Sequence, residues 1–566
     1  MKVSYLLGLF TEKYPNKVFL SMVLGVLSGL SYAGLIPLVM ISLESYVPDL
    51  FSDKIATISG VVADSPNMNL FILYCVLCIF ILVAGALSRI LVEHVRAEVE
   101  SDLRLNFYAR IRSSSLQALE KNGSHNLLAA LTKDIPMIAE AALVFPALVT
   151  QLATTIGLLA FIAYLSWKMF AFVVFAIISG IVIHALPLLI GVKLFARSRA
   201  LFGQLMQSMK GLVYGAKELK LNALRSNEFH KENLHDCEMD LRRSNKQAIV
   251  ALSIAGSLGN LISFFAIGLI CFFLVYVFSI NAKDLMAIVM AMLYMTGPVA
   301  QILNHIQEIG KASVPINLYR ETLKSLESEF QAEQSGQSII DKPASDWRQF
   351  QIRDLQYKYQ YSGMDEHFHI GPIDLDINRG DITFIVGGNG SGKTTLGKLL
   401  SMLYLPESGL LMFDGKEVND RNRDSYRQFV SAIYSDFFLF NKLYGLSGLN
   451  EQAQGYLRDL GLDEKVRIVD GEFSSTALSD GQRKRLSLLV AYLEDRDLYI
   501  FDEWAADQDP EFKNLFYKNI LVDLKKRNKA VICISHDDRY FNIADKIVRL
   551  DNGKISSIET GAGTNS

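Results

Sequence analysis

The chain has 566 residues, half of them hydrophobic, with a net charge of −3 and a mean hydropathy of +0.23. That length exceeds one ordinary domain, and so small a charge predicts neither nucleic-acid binding nor an acidic substrate. The five cysteines give no metal-spaced set and no disulfide framework; Cys75-x-x-Cys78 lies inside an apolar run and reads as small buried side chains.

The opening stretch, "MKVSYLLGLFTEKYPNKVF", mixes Leu, Phe and Tyr with Lys, which suits either a segment lying at the membrane interface or a short solvated leader. Six apolar stretches follow, at 18–43, 70–92, 140–165, 168–194, 249–280 and 285–306. Each meets the requirement of about 20 residues for crossing a hydrocarbon core of about 30 Å. The first is too long for a signal-peptide core and lacks a clear cleavage site, so it is expected to stay.

Charge orients the spans. Loop 44–69 holds Glu44, Asp49, Asp53 and Asp64 against Lys54, whereas loops 93–139 and 195–248 are rich in Arg and Lys. The positive-inside rule places both basic loops and both termini in the cytoplasm. Outer turns at 166–168 and 281–284 are tiny, so the chain makes three outward hairpins joined by two long inner segments with helical patterning. Polar residues interrupt the later spans: His184 and Pro187 in the fourth, Asn260 in the fifth, and Tyr294, Gly297, Pro298, Gln301 and Asn304 in the sixth. Tyr294, Gln301 and Asn304 suit a cavity lining or hydrogen bonds between helices, and Gly297-Pro298 suits a kink.

A polar linker at 325–346 separates this transmembrane domain, 1–324, from a soluble-looking α/β domain, 347–566. There "DITFIVGGNGSGKTTLGKLL" (381–400) reads as strand, glycine-rich loop and helix. Its Gly387-x4-Gly392-Lys393-Thr394 core is a P-loop: backbone N–H groups from Gly387 through Asn389, Gly390, Ser391 and Gly392 to Thr395 wrap phosphates. Lys393 reaches the β- and γ-phosphates and the Thr394 hydroxyl ligates Mg²⁺. "LYIFDE" (498–503) is an apolar strand ending in two carboxylates, with Asp502 placed to hold Mg²⁺ and Glu503 to polarise the attacking water. "AVICISHDD" (530–538) ends a second buried strand at His536, within reach of a γ-phosphate.

The order P-loop, "LSDGQ" (478–482), "LYIFDE" and "SH" (535–536) resembles an ABC ATPase, and behind six spans the whole chain resembles an ABC exporter half-transporter. The fold this implies is an α-helical six-span transmembrane domain joined to an α/β P-loop ATPase domain. The resemblance implies that Tyr359 stacks on adenine. It also implies that Ser479, Gly481 and Gln482 meet ATP held by a partner, and that Asp509 in "QDP" is the acid of the D-loop. More narrowly, "GGNGSGKTTL", "SAIYSDFFLF" and "FDEWAADQDPEFKNLFYKNIL" followed by "ISHDDRYF" resemble the exporters of cyclic, microcin-type and pyoverdine-precursor peptides.

One position departs from the family. The Q-loop glutamine, expected near 435, is replaced by Ser435 followed by Asp436; either offers a hard oxygen of the kind Mg²⁺ requires. With one P-loop and one signature segment, two chains must pair, giving twelve spans if the partner is identical. The resemblance therefore implies ATP-driven, alternating-access export of a peptide from the cytoplasm across the inner membrane, with ATP and Mg²⁺ as cofactors. Stretches near 121–129 and 217–228 resemble the coupling helices. A lipid or multidrug exporter would share every ATPase motif. A nucleotide-sensing regulator without transport is opposed by the intact Lys393, Asp502, Glu503 and His536. Within "LSDGQRKRL", the Asp480 carboxylate is expected to point away from phosphate, toward the first N–H groups of its helix or toward Arg483 and Lys484.

Overall fold

The computed structural model describes Gly8 and residues 13–44, 68–278, 282–326, 347–358, 368–419, 422–446 and 448–561. Most of the opening stretch, residues 45–67 of the outer loop, nearly all of the linker and Tyr359 lie outside the described residues. Two compact units emerge: Met1–Arg112 with Leu119–Leu326, and Ser113–Ala118 with Glu327–Ser566.

The first unit is built on six long helices: α1 (Pro15–Glu44), α2 (Met68–Ser113), α3 (Val144–Leu165), α4 (Trp167–Tyr214), α5 (Cys237–Leu269) and α6 (Ala282–Leu326). Six helical segments here are long and apolar enough to cross a membrane. Most outrun their apolar stretches. In α4 the apolar run ends near 194, yet the helix continues through Arg197, Arg199 and Lys210 to Tyr214, as an amphipathic extension beyond the hydrocarbon does. Only Ser166 separates α3 from α4. Met40, Leu158, Ile162, Met169, Ile270 and Ile288 meet in one core.

Without a hydrophobic force between helices in lipid, close backbone approach and polar pairs hold them. A Cβ at Gly29 would fall 2.6 Å from the Thr150 carbonyl, so α1 and α3 touch only because that residue is glycine. Buried His184 on α4 meets the Gln307 amide of α6 at 3.1 Å, and the same amide donates to the Leu252 carbonyl of α5. His184 is thus a packing residue that joins three spans. Near the cytoplasmic ends, Arg199 donates two hydrogen bonds to Asp134, at 2.9 and 2.7 Å, with both side chains almost fully buried. The planar guanidinium fork matches the carboxylate, which is what makes burial of both charges tolerable.

In the second unit the uninterrupted apolar runs form fully buried strands, as expected for a sheet covered on both faces. Its strands are β1 (Gln349–Lys358), β2 (His369–Asn378), β3 (Ile382–Gly387), β4 (Ser408–Phe413), β5 (Lys416–Glu417), β6 (Val430–Ile433), β7 (Ile468–Val469), β8 (Glu472–Phe473), β9 (Leu498–Asp502), β10 (Ala530–Ile534), β11 (Lys546–Asp551) and β12 (Lys554–Thr560). A six-stranded sheet runs β12-β11-β3-β10-β9-β6, parallel except for β12. An antiparallel sheet runs β2-β1-β4-β5. Side chains alternate across the main sheet: Ile500 and Ile534 pack with α7 (Lys393–Leu400), while Phe501 and Cys533 pack with α8 (Asp480–Glu494). Parallel order brings the carboxyl ends of β3, β6, β9 and β10 to one edge, where ligands of open α/β sheets bind. Ser113–Ala118 belongs with this unit, and Leu116 packs against its core; the segment lies a few residues before the 121–129 stretch that resembles a coupling helix.

Candidate active site

The turn after β3 requires glycine. A Cβ at Gly387 would sit 2.2 Å from the Leu550 carbonyl oxygen, and Gly390 and Gly392 have φ of 79° and 98°. Asn389 and Gly390 are exposed, Thr395 is half-buried, and α7 begins at Lys393. Lys393 is 6 % exposed and donates to the carbonyls of Gly387 and Gly388, at 3.0 and 2.9 Å. Burial pulls its pKa below the ordinary lysine value against the opposing fields of Glu503 and Asp502. The ammonium is therefore held by its own loop, inside a ring of backbone groups.

Behind it, Thr394 Oγ1 donates to Asp502 Oδ2 at 3.0 Å. Asp502 is 1 % exposed, and its other oxygen, Oδ1, is buried with no hydrogen-bond partner among the described residues. Burial raises the Asp502 pKa above the ordinary carboxylate value, with Thr394 working the other way. An orphaned buried carboxylate oxygen beside a hydroxyl suits a hard cation. No group of three His, Cys, Asp or Glu side chains forms a metal cluster among the described residues. A cation here would take its remaining oxygens from water and phosphate, which is how Mg²⁺ is usually held. The buried Ser391 hydroxyl likewise has no partner among the described residues.

Glu503 follows β9 with φ of 50°, a conformation that costs of order 1–3 kcal/mol for a residue with a side chain. Its N–H donates to the Ile534 carbonyl of β10, which fixes the turn. The Glu503 carboxylate then meets His536 Nε2 at 3.2 Å, both side chains partly open to solvent. The carboxylate of Glu503 and the imidazole of His536 thus come together from adjacent strand ends.

The signature segment is a capped helix start. Ser479 is the N-cap of α8: its hydroxyl accepts from the Gln482 N–H, and the Gln482 side chain accepts from the Ser479 N–H. Gly481 lies against the D-loop, since a Cβ there would approach the Asp507 carbonyl to 3.1 Å. Asp480 is 88 % exposed, with Arg483 at 3.8 Å. Lys484 does not serve Asp480. It is buried and reaches the Asp507 carboxylate at 2.7 Å and the Glu503 carbonyl at 3.2 Å, because it leaves the helix on the inner face one turn past the cap. The Trp504 indole donates back to the Lys484 carbonyl at 2.9 Å, and Gln508 donates to the Gly481 carbonyl at 3.0 Å. Arg485 pairs with Gln508 and with Asp509, whose other oxygen caps the helix at Phe512. This lace between signature helix and D-loop was not read from sequence. Its signal was the basic run "RKR" set against the acids of "FDEWAADQD".

The first unit holds a cavity of about 1310 Å³ between α1, α2, α3 and α6. Tyr32 and Tyr294 stack in its wall with ring centroids 4.9 Å apart. Gln301 lines it while accepting a hydrogen bond from Gln151 of α3, and Gly297 and Pro298 line it too. Asn304 instead lines a separate recess of about 420 Å³ beside α5. The large cavity also carries Glu93, Glu140 and Glu308 against Arg89 and Lys311, with His305 paired to Glu308 at 2.9 Å.

Residues 18–299 match the family model of the ABC transporter transmembrane region, and residues 370–506 match that of the ABC transporter. The chain belongs to the ABC transporter family. It is 35 % identical to ATP-binding protein SyrD of Pseudomonas syringae pv. syringae, over 80 % of this chain and 82 % of SyrD. It is 24 % identical to the ATP-dependent lipid A-core flippase of Thiobacillus denitrificans, over 94 % and 92 % of the two chains. A solved bacterial Atm1-family ABC exporter with ATP bound shares the fold, with a TM-score of 0.77 over 96 % of each chain at 16 % identity. This ABC exporter half-transporter binds ATP and couples its hydrolysis to transport. It is a multi-pass inner-membrane protein with a cytoplasmic ATPase domain, and half-transporters of its family work as dimers.

Proposed function

We propose that two identical chains pair to export a peptide, cyclic, microcin-like or a siderophore precursor, from the cytoplasm by alternating access. The observation that carries the cargo class is the cavity wall: stacked tyrosines beside three carboxylates, two basic side chains and a histidine. Such a wall suits a zwitterionic or cationic amphipathic molecule. A polyanionic lipid head group would meet like charge without compensating excess of base. The narrower sequence resemblance to peptide exporters points the same way.

In the ATPase site, Lys393 exchanges the Gly387 and Gly388 carbonyls for the β- and γ-phosphates. P-loop N–H groups from Gly387 to Thr395 hold the phosphates, and Tyr359 stacks on the base. Asp502 and Thr394 are the residues that would hold Mg²⁺, which supplies charge neutralisation between the phosphates. Glu503 takes the proton of the attacking water while His536, 3.2 Å from its carboxylate, faces the γ-phosphate. Ser479, Gly481 and Gln482 of each chain complete the site of the other, and Asp509 ties that segment to the D-loop.

A lipid reading is favoured by the near full-length similarity to a flippase. ATPase stimulation and uptake into inverted vesicles separate the two. Cyclic peptides should stimulate turnover and accumulate in the lumen; stimulation by lipid alone would sink the peptide reading.

A further inference from the structure

Glu503, whose backbone stands at φ 50° and ψ 31°, opens the 3-10 turn Trp504–Asp507. A residue with a side chain holds that left-handed conformation only where its surroundings impose it. Two groups from neighbouring elements do so. The Ile534 carbonyl of β10 takes the Glu503 N–H at 3.0 Å, and the Lys484 ammonium donates to the Glu503 carbonyl at 3.2 Å from the inner face of α8. The same ammonium reaches the Asp507 carboxylate at 2.7 Å, so one lysine spans the turn from its cap to its last residue. The turn also holds the lysine: the buried Trp504 indole donates to the Lys484 carbonyl at 2.9 Å. The Lys484 side chain is 7 % exposed, whereas that of Asp507 is 57 % exposed. A buried cation whose carboxylate partner stands largely in water is a poor device for stability, and an apolar side chain of like volume would serve the fold as well. What an apolar side chain would not do is grip the peptide group from which the Glu503 side chain springs.

We propose that Lys484 is a positioning residue for hydrolysis: its ammonium fixes the left-handed turn at Glu503 and so aims the carboxylate, which lies 3.2 Å from His536, at the water to be activated. The inference rests on the reading of Glu503 as general base given above. Aim matters because a reacting group misplaced by about 1 Å can cost about 10²-fold in rate. The residues proposed to hold ATP, Lys393 and Thr394 among them, stand on the P-loop and α7, whereas Lys484 works between α8 and the turn after β9. Loss of the lysine should therefore fall on the rate of hydrolysis and not on the binding of ATP.

The test is a double-mutant cycle on the full-length protein in nanodiscs, with kcat and KM for ATP read by steady-state hydrolysis and the slow variants read by single turnover. Lys484→Met should lower kcat by about 10- to 100-fold while KM for ATP and the melting temperature stay close to those of the parent. In the Glu503→Gln background the same substitution should change the residual rate little, because no base is left to aim. A lysine that merely supported the fold would depress both backgrounds alike. Asp507→Asn, which removes the outer partner and leaves the grip on the Glu503 carbonyl, should lower kcat less than Lys484→Met does. The proposal is overturned if folded Lys484→Met keeps its kcat, if the loss appears in KM instead, or if it recurs in full in Glu503→Gln. Should Lys484→Met fail to fold, Asp507→Asn decides: a fall in kcat that vanishes in Glu503→Gln supports the clamp, and an unchanged kcat overturns it. The two readings fail separately. Normal turnover in Glu503→Gln removes the base itself, whereas low turnover there with full kcat in Lys484→Met removes only the clamp.

Discussion

The two units spend their polar residues differently. In the ATPase unit several polar side chains at the sheet edge are answered by a neighbour, Lys393 by two carbonyls, Thr394 by Asp502, Glu503 by His536 and Lys484 by Asp507, while Asp502 Oδ1 and the Ser391 hydroxyl are buried without a partner among the described residues. In the transmembrane unit two buried polar locks, Asp134–Arg199 and His184–Gln307, stand apart from a cavity whose charges are half open. A site for an invariant ligand, phosphate, can be built as a fixed network that leaves open only the groups its ligand would take. A cavity that must take up and release cargo keeps its groups accessible. The difference teaches that single substitutions should act through chemistry in one unit and through packing or cargo affinity in the other.

The harshest way to break that contrast is Glu503→Gln. Removing the proposed base should lower ATPase turnover by about 10²–10⁴-fold and accumulate an ATP-bound dimer, read by steady-state hydrolysis and size-exclusion chromatography. Normal turnover would show that the edge network is not the site of chemistry. Next in size is Asp134→Asn, which strands a buried guanidinium. It should cost about 3–5 kcal/mol of stability, seen as a lower melting temperature in detergent, with Asp134→Asn/Arg199→Met recovering much of the loss. Failure of the double variant to recover would mean that the pair does more than lock α4 in place.

Trp504→Phe sharpens the contrast from the other side. Phenylalanine keeps most of the stacking on Phe516 but removes the indole donor, leaving the Lys484 carbonyl the Ser487 hydroxyl at 2.7 Å, at a cost of about 0.5–1.5 kcal/mol. If the lace holds signature helix and D-loop together, turnover per folded molecule should fall as well. A smaller change is expected from Glu308→Gln at the cavity: removal of one exposed charge should raise the half-stimulating concentration of a cationic peptide by up to about tenfold, or about 1.4 kcal/mol. An effect on lipid stimulation in place of the peptide effect would reverse the cargo assignment.

The ATPase unit was legible because its ligand fixes its spacing. Gly387, Gly390 and Gly392 are dictated by backbone approach and left-handed turns, and "LYIFDE" and "AVICISHDD" are runs apolar enough to be buried strands ending at one edge. Six membrane helices were legible from apolar length alone. What sequence did not show was pairing over distance. Lys484 stands beside Asp480 in the chain yet bonds Asp507, because helix geometry turns it inward. His184 and Tyr294 are both polar interruptions of apolar spans, and only the packing of α4, α5 and α6 separates the lock from the cavity wall. No local pattern encodes which face of a span meets a neighbour.

The smallest effect tests the most contested residue, Ser479. Its hydroxyl caps α8 within the chain, yet the proposed mechanism also gives it the partner's γ-phosphate. Ser479→Ala cannot tell these apart, since loss of the cap alone costs about 1 kcal/mol and would loosen the segment that meets the phosphate. Ser479→Gly can. Glycine is itself a tolerated N-cap, costing only a few tenths of a kcal/mol, so the helix start should survive while the hydroxyl is gone. If the hydroxyl only caps, the glycine variant should melt and hydrolyse ATP nearly as the parent does. If it reaches across the dimer, the variant should keep its melting temperature and lose turnover, and the ATP-bound dimer trapped by Glu503→Gln should dissociate more readily. The second outcome is expected. The cap's 3.4 Å hydrogen bond is long, so the hydroxyl gives up little by turning to a charged acceptor that binds more strongly than a backbone amide.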